Sequence, residues 1–374
     1  MLTLGILGGG QLGKMLVQAA ADWNIHCKIL DADLQAPCSV LTDKFTQGSL
    51  QDFDTVYEFG KNCDLLTIEI ETVNTEALEA LEKEGKKVFP QPHIIRLIQD
   101  KRLQKQFYRH HHIPTAPFHL TEKQADLYDL IDFLPAVHKL GKDGYDGKGV
   151  QKIYSAADIP KGFDKAGLLE KMIVVEKEIA VIVARNENGE TKAFPACEMV
   201  FHPEKNLVEY LYAPAKLSAC MEADAEEIAQ MVAEKLGIVG ILAVELFVTK
   251  TGEILVNEVA PRPHNSGHHT IEANFTSQYQ QHLRAILNLP LGSTQHRCPA
   301  AMLNLLGEDG HTGKAHYQGL AEVLKLEGVY VHLYGKQTTK PFRKMGHITI
   351  LGENETEIKE KTEIVRQELK VVSE

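Results

Sequence analysis

Residues 244–258 read Val-Glu-Leu-Phe-Val-Thr-Lys-Thr-Gly-Glu-Ile-Leu-Val-Asn-Glu. Two apolar runs, Val244 to Val248 and Ile254 to Glu258, flank a turn at Thr251-Gly252, which is the pattern of a β-hairpin. Placing Lys250 across from Glu253 sets Glu245 opposite Glu258 on one face of the ribbon. Like charges directly opposed weaken a hairpin. They become favourable when a divalent cation sits between them, and Mg2+ is usually held by one or two carboxylates together with substrate phosphates. In a regular strand Asn257 points to the other face and joins the pair only through a twist or bulge. The plain alternative is an exposed hairpin with solvated glutamates, but the apolar flanks argue for burial.

Working outward, Ala260-Pro261-Arg262-Pro263-His264-Asn265-Ser266-Gly267-His268 follows at once. A rigid Pro-Arg-Pro segment leading into hydrogen-bonding side chains reads as a substrate-positioning loop. Upstream, Ala136-Val137-His138-Lys139 is a short strand that runs into Gly144-Tyr145-Asp146-Gly147-Lys148-Gly149 and returns at Val150. Glycines let a backbone approach phosphate oxygens and offer N–H donors. Lys139 and Lys148 add positive charge there. A simple hairpin with a glycine turn is the competing reading.

At the N-terminus, Leu2 to Leu7 is a strand that enters Gly8-Gly9-Gly10-Gln11-Leu12-Gly13 and then a helical pattern through Ala21. Asp31 and Asp33 lie about twenty residues on, as in the dinucleotide-binding fingerprint. Any strand–turn–helix that holds a phosphate can use the same glycines, so a different phosphorylated ligand is the better expectation. Strands alternate with helices to about Pro90, implying an open parallel sheet. One helix is expected from Ile94 to His110. The middle of the chain reads as α+β with antiparallel pairs. The block from about Pro299 reads as a small sheet domain. It carries a basic cluster, Lys336, Lys340, Arg343 and Lys344, suited to capturing a phosphate. His110-His111-His112 ends a helix before Pro114, where imidazoles meet the dipole, and is not read as a metal site.

Bulk properties bound the partners. The formal net charge of −11 argues against nucleic acid or an anionic membrane. No apolar run reaches membrane-spanning length. No signal peptide is evident. The six cysteines form no C-x-x-C pair, which suits a reducing cytoplasm.

Taken together, GGGQLGKM from Gly8, IEIETVN from Ile68, QDKRLQKQF from Gln99, GYDGKG from Gly144, VNEVAPRPHNSGH from Val256, YGK from Tyr334 and RKMGH from Arg343 resemble the N5-carboxyaminoimidazole ribonucleotide synthases, ATP-grasp enzymes of purine biosynthesis. The resemblance covers nearly the whole length. It implies a mixed α/β and α+β chain with an ATP-grasp fold: a βαβ domain over 1–98, a two-part ATP-grasp module over 99–296, and a small C-terminal sheet domain over 297–374. It implies ATP and Mg2+ as cofactors, 5-aminoimidazole ribonucleotide and bicarbonate as substrates, and a cytoplasmic homodimer.

Carried over by position, the resemblance puts Lys101, Lys139 and Gly144–Gly149 on the ATP phosphates. Glu170, Lys171, Met172 and Ile173 would meet the adenine, and Glu178 the ribose. His202 and Asn257 would join the nucleotide site. Glu245 and Glu258 would hold Mg2+. Arg262, His264 and Asn265, with Asp146 and Lys148, would orient bicarbonate and the intermediate. Gln11, Leu12, Glu71, Tyr145, Asp146, Lys336, Arg343 and Lys344 would bind the ribonucleotide. Lys101 stands where arginine is common, and Asp143 and Val150 depart from the usual glycine and glutamine. His202 is displaced by one residue from the usual histidine. The rival readings are a sister ribonucleotide ligase such as a formate-dependent glycinamide ribonucleotide transformylase, a nicotinamide oxidoreductase, and a non-catalytic nucleotide sensor.

Overall fold

The computed structural model describes residues 2–142, 144, 149–201 and 208–374. Tyr145, Asp146, Gly147, Lys148 and His202, all expected at the site, lie outside the described residues, as does Asp143.

The N-terminal runs are short and apolar throughout, so they bury both faces and pair in parallel. Thr3–Leu7 is the central strand, between His26–Asp31 and Leu65–Ile68, with Phe45–Gln47 and Lys87–Val88 at the edges. Helices Gln11–Ala21, Phe53–Lys61 and Thr75–Lys83 make the crossovers. The carboxyl ends of the three inner strands therefore open on one edge, the usual ligand edge of such sheets.

The single helix expected from Ile94 to His110 is two helices, Pro92–Ile98 and Lys101–His110. Asp100 breaks it. Its backbone is extended (φ −121°, ψ 110°) and its carboxylate accepts from Arg102 N, an N-cap that starts a new helix. The break places Lys101 at a helix N-terminus, where its N–H also donates to Gly141 O at 2.7 Å.

Among the described residues, a four-stranded antiparallel sheet runs Phe118–Thr121, Gly167–Lys171, Ala136–Leu140, Val150–Ile153. A nine-stranded sheet begins at the hairpin Gly240–Thr249 and Ile254–Ala260 and passes through Val175–Arg185, Cys197–Phe201 and Val208–Ala213. It continues without a break into Ala300–Leu306, Lys344–Leu351 and Val329–Leu333, with Tyr210 paired to Leu303 across the junction. A separate three-stranded sheet, Thr338–Thr339, Gly313–Gln318 and Lys370–Ser373, completes the C-terminal block. All six cysteines are free. Among the described residues, no helix is long and apolar enough to cross a membrane.

The core is unusual in burying several imidazoles. His268, His269, His282 and His347 are essentially without solvent contact. Burial disfavours the charged ring, so His269 and His282 fall from 6.5 to about 3, and His268 and His347 also fall well below it. Such a ring is neutral when folded and takes up a proton on unfolding below its unfolded value. Its stabilisation is intact above about pH 7 and is lost as pH falls below 6.5. Glu69, Glu178 and Glu245, raised first by burial, act in the opposite sense and offset part of it. The melting temperature should be level between pH 8 and 7 and fall steeply from pH 6.5 to 5, with a slope equivalent to roughly three protons. Circular dichroism melts across that range check this, and a flat profile contradicts it.

Candidate active site

The hairpin of residues 240–260 builds the floor of the site. Glu245 lies opposite Glu258, as the sequence suggests, but by a different route. From the turn upward the pairs are Val248–Ile254, Phe247–Leu255 and Leu246–Val256, and Thr249 rather than Lys250 faces Glu253. That register is one residue short of opposing the two glutamates. A bulge between Leu246 and Glu245 restores it, with Asn257 as the extra residue. The bulge also turns Asn257 toward the cleft, where its Oδ1 accepts from Lys139 Nζ at 3.3 Å.

Cations face this floor. The Lys101 ammonium is ion-paired with Glu258, and Lys139 donates to Glu170 at 2.7 Å. Lys105 pairs with the other oxygen of Glu170 and donates to Thr115 Oγ1 at 2.5 Å. Lys101, Gln104, Lys105, Lys139, Leu168, Asn257 and Glu258 line one small cavity. Glu170 and Lys105 are each only 3 % exposed. Burial works against the Glu170 carboxylate, but two ammonium groups outweigh it and hold it below the usual range. One carboxylate between two ammoniums leaves a surplus positive charge. Burial and the neighbouring Lys139 accordingly bring Lys105 down to about 8, against the pull of Glu170. A phosphate group is the ligand that relieves such a surplus.

Glu258 is held low, first by the Lys101 charge. Glu245 is pushed up by burial and by Glu258. Two opposed carboxylates of which one is driven toward its neutral form are a poor pair alone and a good one around a cation. Among the described residues no group of three or more His, Cys, Asp or Glu gathers as a metal cage. The open, two-carboxylate arrangement fits Mg2+, which keeps positions free for phosphate oxygens. Glu245 and Glu258 would hold the ion, with Asn257 Oδ1 beside them. Bound there, the ion would neutralise phosphate charge.

The loop after the hairpin is pinned in place. His264 N donates to Gln278 Oε1 at 2.8 Å, and Gln278 Nε2 donates to His264 O at 2.8 Å. His264 Nδ1 meets Ser266 Oγ at 2.9 Å, and its Nε2 lies 3.5 Å from Glu245. Burial, then the charge of Arg262, keeps this ring neutral, at about 3. Asn265 Nδ2 is buried and has no hydrogen-bond acceptor among the described residues, a donor aimed at a ligand. Arg262 Nε lies 2.9 Å from Glu71, so these two expected site residues meet.

The glycine-rich turn at Gly8–Gly13 is occupied by the protein itself. Gly10 N and Gly13 N donate to the two oxygens of Glu69, at 2.8 and 2.6 Å, and Gly9 N donates to Asp31 at 2.6 Å. A methyl group at Gly8 or Gly10 would collide with the Glu69 side chain. The glycines are thus explained by the close approach of a carboxylate, and the fingerprint carries no dinucleotide. Gln11 and Leu12 begin the helix, so their N–H groups have no partner within it. Among the described residues they face the same edge as Glu69.

The basic cluster divides. Lys336 donates to Lys344 O at 2.8 Å. It is lowered to about 8 by burial and by Arg343, while Glu69 pulls it back up. The Lys344 charge acts on His264, so Lys336 and Lys344 converge on the site from the C-terminal block. Arg343 Nη1 donates to Thr338 O and Oγ1, at 2.7 and 2.9 Å, while its charge bears on Lys336. Of the residues expected at the adenine, Glu170 is committed to the lysines. Lys171 Nζ is spent on Phe133 O at 2.9 Å, and Met172 N on Pro135 O at 3.2 Å. Ile173 follows at the open strand end. Glu178 is half-buried on the neighbouring strand, and Gly144 and Gly149 bring the ends of the glycine loop together. His110 and His112 are exposed at the helix end, and His111 is half-buried against Phe107.

Sequence reasoning missed Glu69, Lys105 and Gln278. Glu69 stands two residues before Glu71 in the quoted IEIETVN, and Lys105 lies in the helix that Lys101 begins. Glu69 and Lys105 are charged residues inside quoted segments, which burial alone distinguishes from solvated ones, and Gln278 carries no signal in the sequence.

A parallel-sheet domain, a four-stranded sheet and a large antiparallel sheet that enclose lysines over a carboxylate pair define an ATP-grasp enzyme. Residues 106–279 match the ATP-grasp domain, residues 1–99 the ribonucleotide synthetase preATP-grasp domain, and residues 300–361 the phosphoribosylaminoimidazole carboxylase C-terminal domain. The N5-carboxyaminoimidazole ribonucleotide synthase of Aquifex aeolicus is 36% identical, over 98% of this chain and 96% of that one. The crystal structure of the Thermotoga maritima synthetase superposes with a TM-score of 0.92 at 41% identity, over 100% of both chains. The Aspergillus clavatus synthase in complex with ADP and 5-aminoimidazole ribonucleotide superposes with a TM-score of 0.88 at 34% identity, over 98% of this chain and 99% of that one. The chain spans 64% of the length of another relative, the chloroplastic phosphoribosylaminoimidazole carboxylase of Vigna aconitifolia, which is 39% identical over 94% of this chain. This chain belongs to the N5-carboxyaminoimidazole ribonucleotide synthase family, and ATP is its nucleotide.

Glu258→Gln keeps the shape of the site but removes the charge that Lys101 and the cation share. Steady-state assays should show turnover reduced at least about 100-fold, with part of the loss recovered at high Mg2+; unchanged turnover contradicts the assignment. Glu69→Ala strips two backbone N–H groups of their acceptors and should cost about 1–3 kcal/mol in urea denaturation.

Proposed function

We propose that this chain carboxylates the exocyclic amine of 5-aminoimidazole ribonucleotide with bicarbonate, driven by ATP. The observation that carries the reading is the placement of the Glu245–Glu258 pair. Lys101, Lys105 and Lys139 stand on one side of it, and Arg262, His264 and Asn265 on the other. The first group suits a triphosphate, and the second a small anion within reach of its terminal phosphate.

A bicarbonate oxygen attacks the γ-phosphorus, the bond to the β-bridging oxygen breaks, and ADP leaves with carboxyphosphate formed. The ribonucleotide amine then takes the carboxyl carbon, directly or as CO2 released in the closed site. The carbon–oxygen bond to phosphate breaks, and the amine gives its proton to the departing phosphate. Lys101 and Lys139 bear the charge of the transferring phosphoryl group, an electrostatic role in a water-poor cleft. Arg262 and Asn265 Nδ2 hold the bicarbonate, and neutral His264 orients it through the Ser266 and Gln278 contacts. Gln11 and Leu12 N–H, Lys336 and Lys344 seat the ribonucleotide phosphate, with Glu71 holding Arg262 in line. The resemblance assigns Tyr145, Asp146 and Lys148 to the ribonucleotide and bicarbonate. The resemblance further supports a cytoplasmic homodimer.

Purified protein should release ADP only when bicarbonate and 5-aminoimidazole ribonucleotide are both present, followed by a coupled ADP assay with each substrate omitted. Equal release without the ribonucleotide, or with formate and glycinamide ribonucleotide instead, refutes the proposal.

A further inference from the structure

Three imidazoles, buried His268 and His347 and half-buried His332, form a column where the C-terminal block meets the positioning loop. The His332 and His347 rings stack with centroids 4.3 Å apart and planes 6° apart, and His347 stacks on His268 at 4.5 Å and 30°. Each ring has a directional bond through one nitrogen, while His347 Nε2 is buried with no hydrogen-bond partner among the described residues. His332 Nε2 meets Glu272 at 2.8 Å, His347 Nδ1 meets Tyr334 OH at 3.1 Å, and His268 Nδ1 meets Tyr279 OH at 3.1 Å. Gln278 Nε2 lies 3.3 Å from His268 Nδ1, and the same amide grips the backbone of His264 on both sides.

Packing alone does not call for this. Apolar rings would fill the same volume without any nitrogen to satisfy, whereas a bonded polar network specifies one arrangement. What the column joins is informative. His332 and His347 are directly paired on adjacent strands. Tyr334 and Lys336 follow His332 in the chain, and Lys344 precedes His347 by three residues. Both cation-bearing strand ends therefore leave from the column. At its other end, His268 closes the loop that carries Arg262, His264 and Asn265.

We infer that the His332–His347–His268 column is a positioning element that sets the ribonucleotide-binding lysines at a fixed offset from the bicarbonate-orienting loop. This rests on the proposed function. Loosening the column leaves the ATP cleft intact, because Lys101, Lys139, Glu245 and Glu258 are held by other contacts. It moves the acceptor amine relative to the carboxyl donor, and a displacement of about 1 Å can cost on the order of 100-fold in rate. Carboxyphosphate then decays before it is used.

The test uses the full chain and measures the KM for each substrate and the carboxylated product formed per ADP released. His347→Ala should raise the KM for 5-aminoimidazole ribonucleotide by about tenfold and bring product per ADP well below the wild-type value. The KM for ATP should stay within roughly twofold. His347→Phe keeps the stack but loses the Tyr334 bond and should fall between. His282→Gln, at a buried imidazole outside the column, controls for general loss of stability. Should His347→Ala fail to fold, His347→Phe and His332→Phe carry the same readouts. Product per ADP at the wild-type value, or a loss matched by the His282 control, overturns the inference while the proposed function stands. A wild-type chain that releases no ADP with both substrates overturns both.

Discussion

The opposition of Glu245 and Glu258 across the hairpin is the constraint around which the rest of the molecule is arranged. Two carboxylates so opposed repel, more strongly where the cleft reduces the screening of water. The protein offsets it from one side with Lys101, which a break in the preceding helix places over Glu258. It leaves Glu245 without an equal partner, since His264 is held neutral by its surroundings. The remaining imbalance is what a cation would remove. Lys105 and Lys139 carry the opposite imbalance a few ångströms away, sharing the single carboxylate of Glu170. Negative surplus beside positive surplus is a template for a metal–polyphosphate complex, and neither half is comfortable without it.

The N-terminal turn obeys the same logic with the opposite outcome. A helix start rich in glycine attracts anions. Here Glu69 and Asp31 supply them internally, so the turn is rigid and closed to a pyrophosphate. Among the described residues the first two N–H groups of the helix are left for a ligand, and the Glu69 charge acts on Lys336 from the C-terminal block. In the proposed function these would form a small phosphate seat shared between distant parts of the chain, rather than a cofactor cradle.

Much of this was legible in residue patterns. Apolar runs marked the strands, and the hairpin pointed to the glutamate pair. The pair was found through a register that was wrong by one residue, and a bulge at Asn257 corrected it. A bulge leaves little trace in sequence, because it depends on the packing on both faces. The helix break at Asp100 had a visible cap residue, yet the apolar period ran through it. Glu69 and Lys105 were invisible for another reason. Charge beside a motif looks the same whether solvated or buried, and only the fold decides. Glu170 is expected at the adenine, and its side chain pairs with Lys105 and Lys139.

The continuity of the large sheet fits the proposed function, in which one site would serve three substrates. The strand bearing Glu245 and the strand bearing Lys344 belong to the same hydrogen-bonded array, although about a hundred residues separate them along the chain. A flexible linker between domains would let the acceptor drift relative to the phosphoryl donor. A sheet transmits position through its ladder with little slack, and side-chain bonds across the junction remove what slack is left. The proposed chemistry would need this, because carboxyphosphate is worth forming only where an amine already waits. Alignment of that kind is built into the backbone ladder itself, not left to side chains alone.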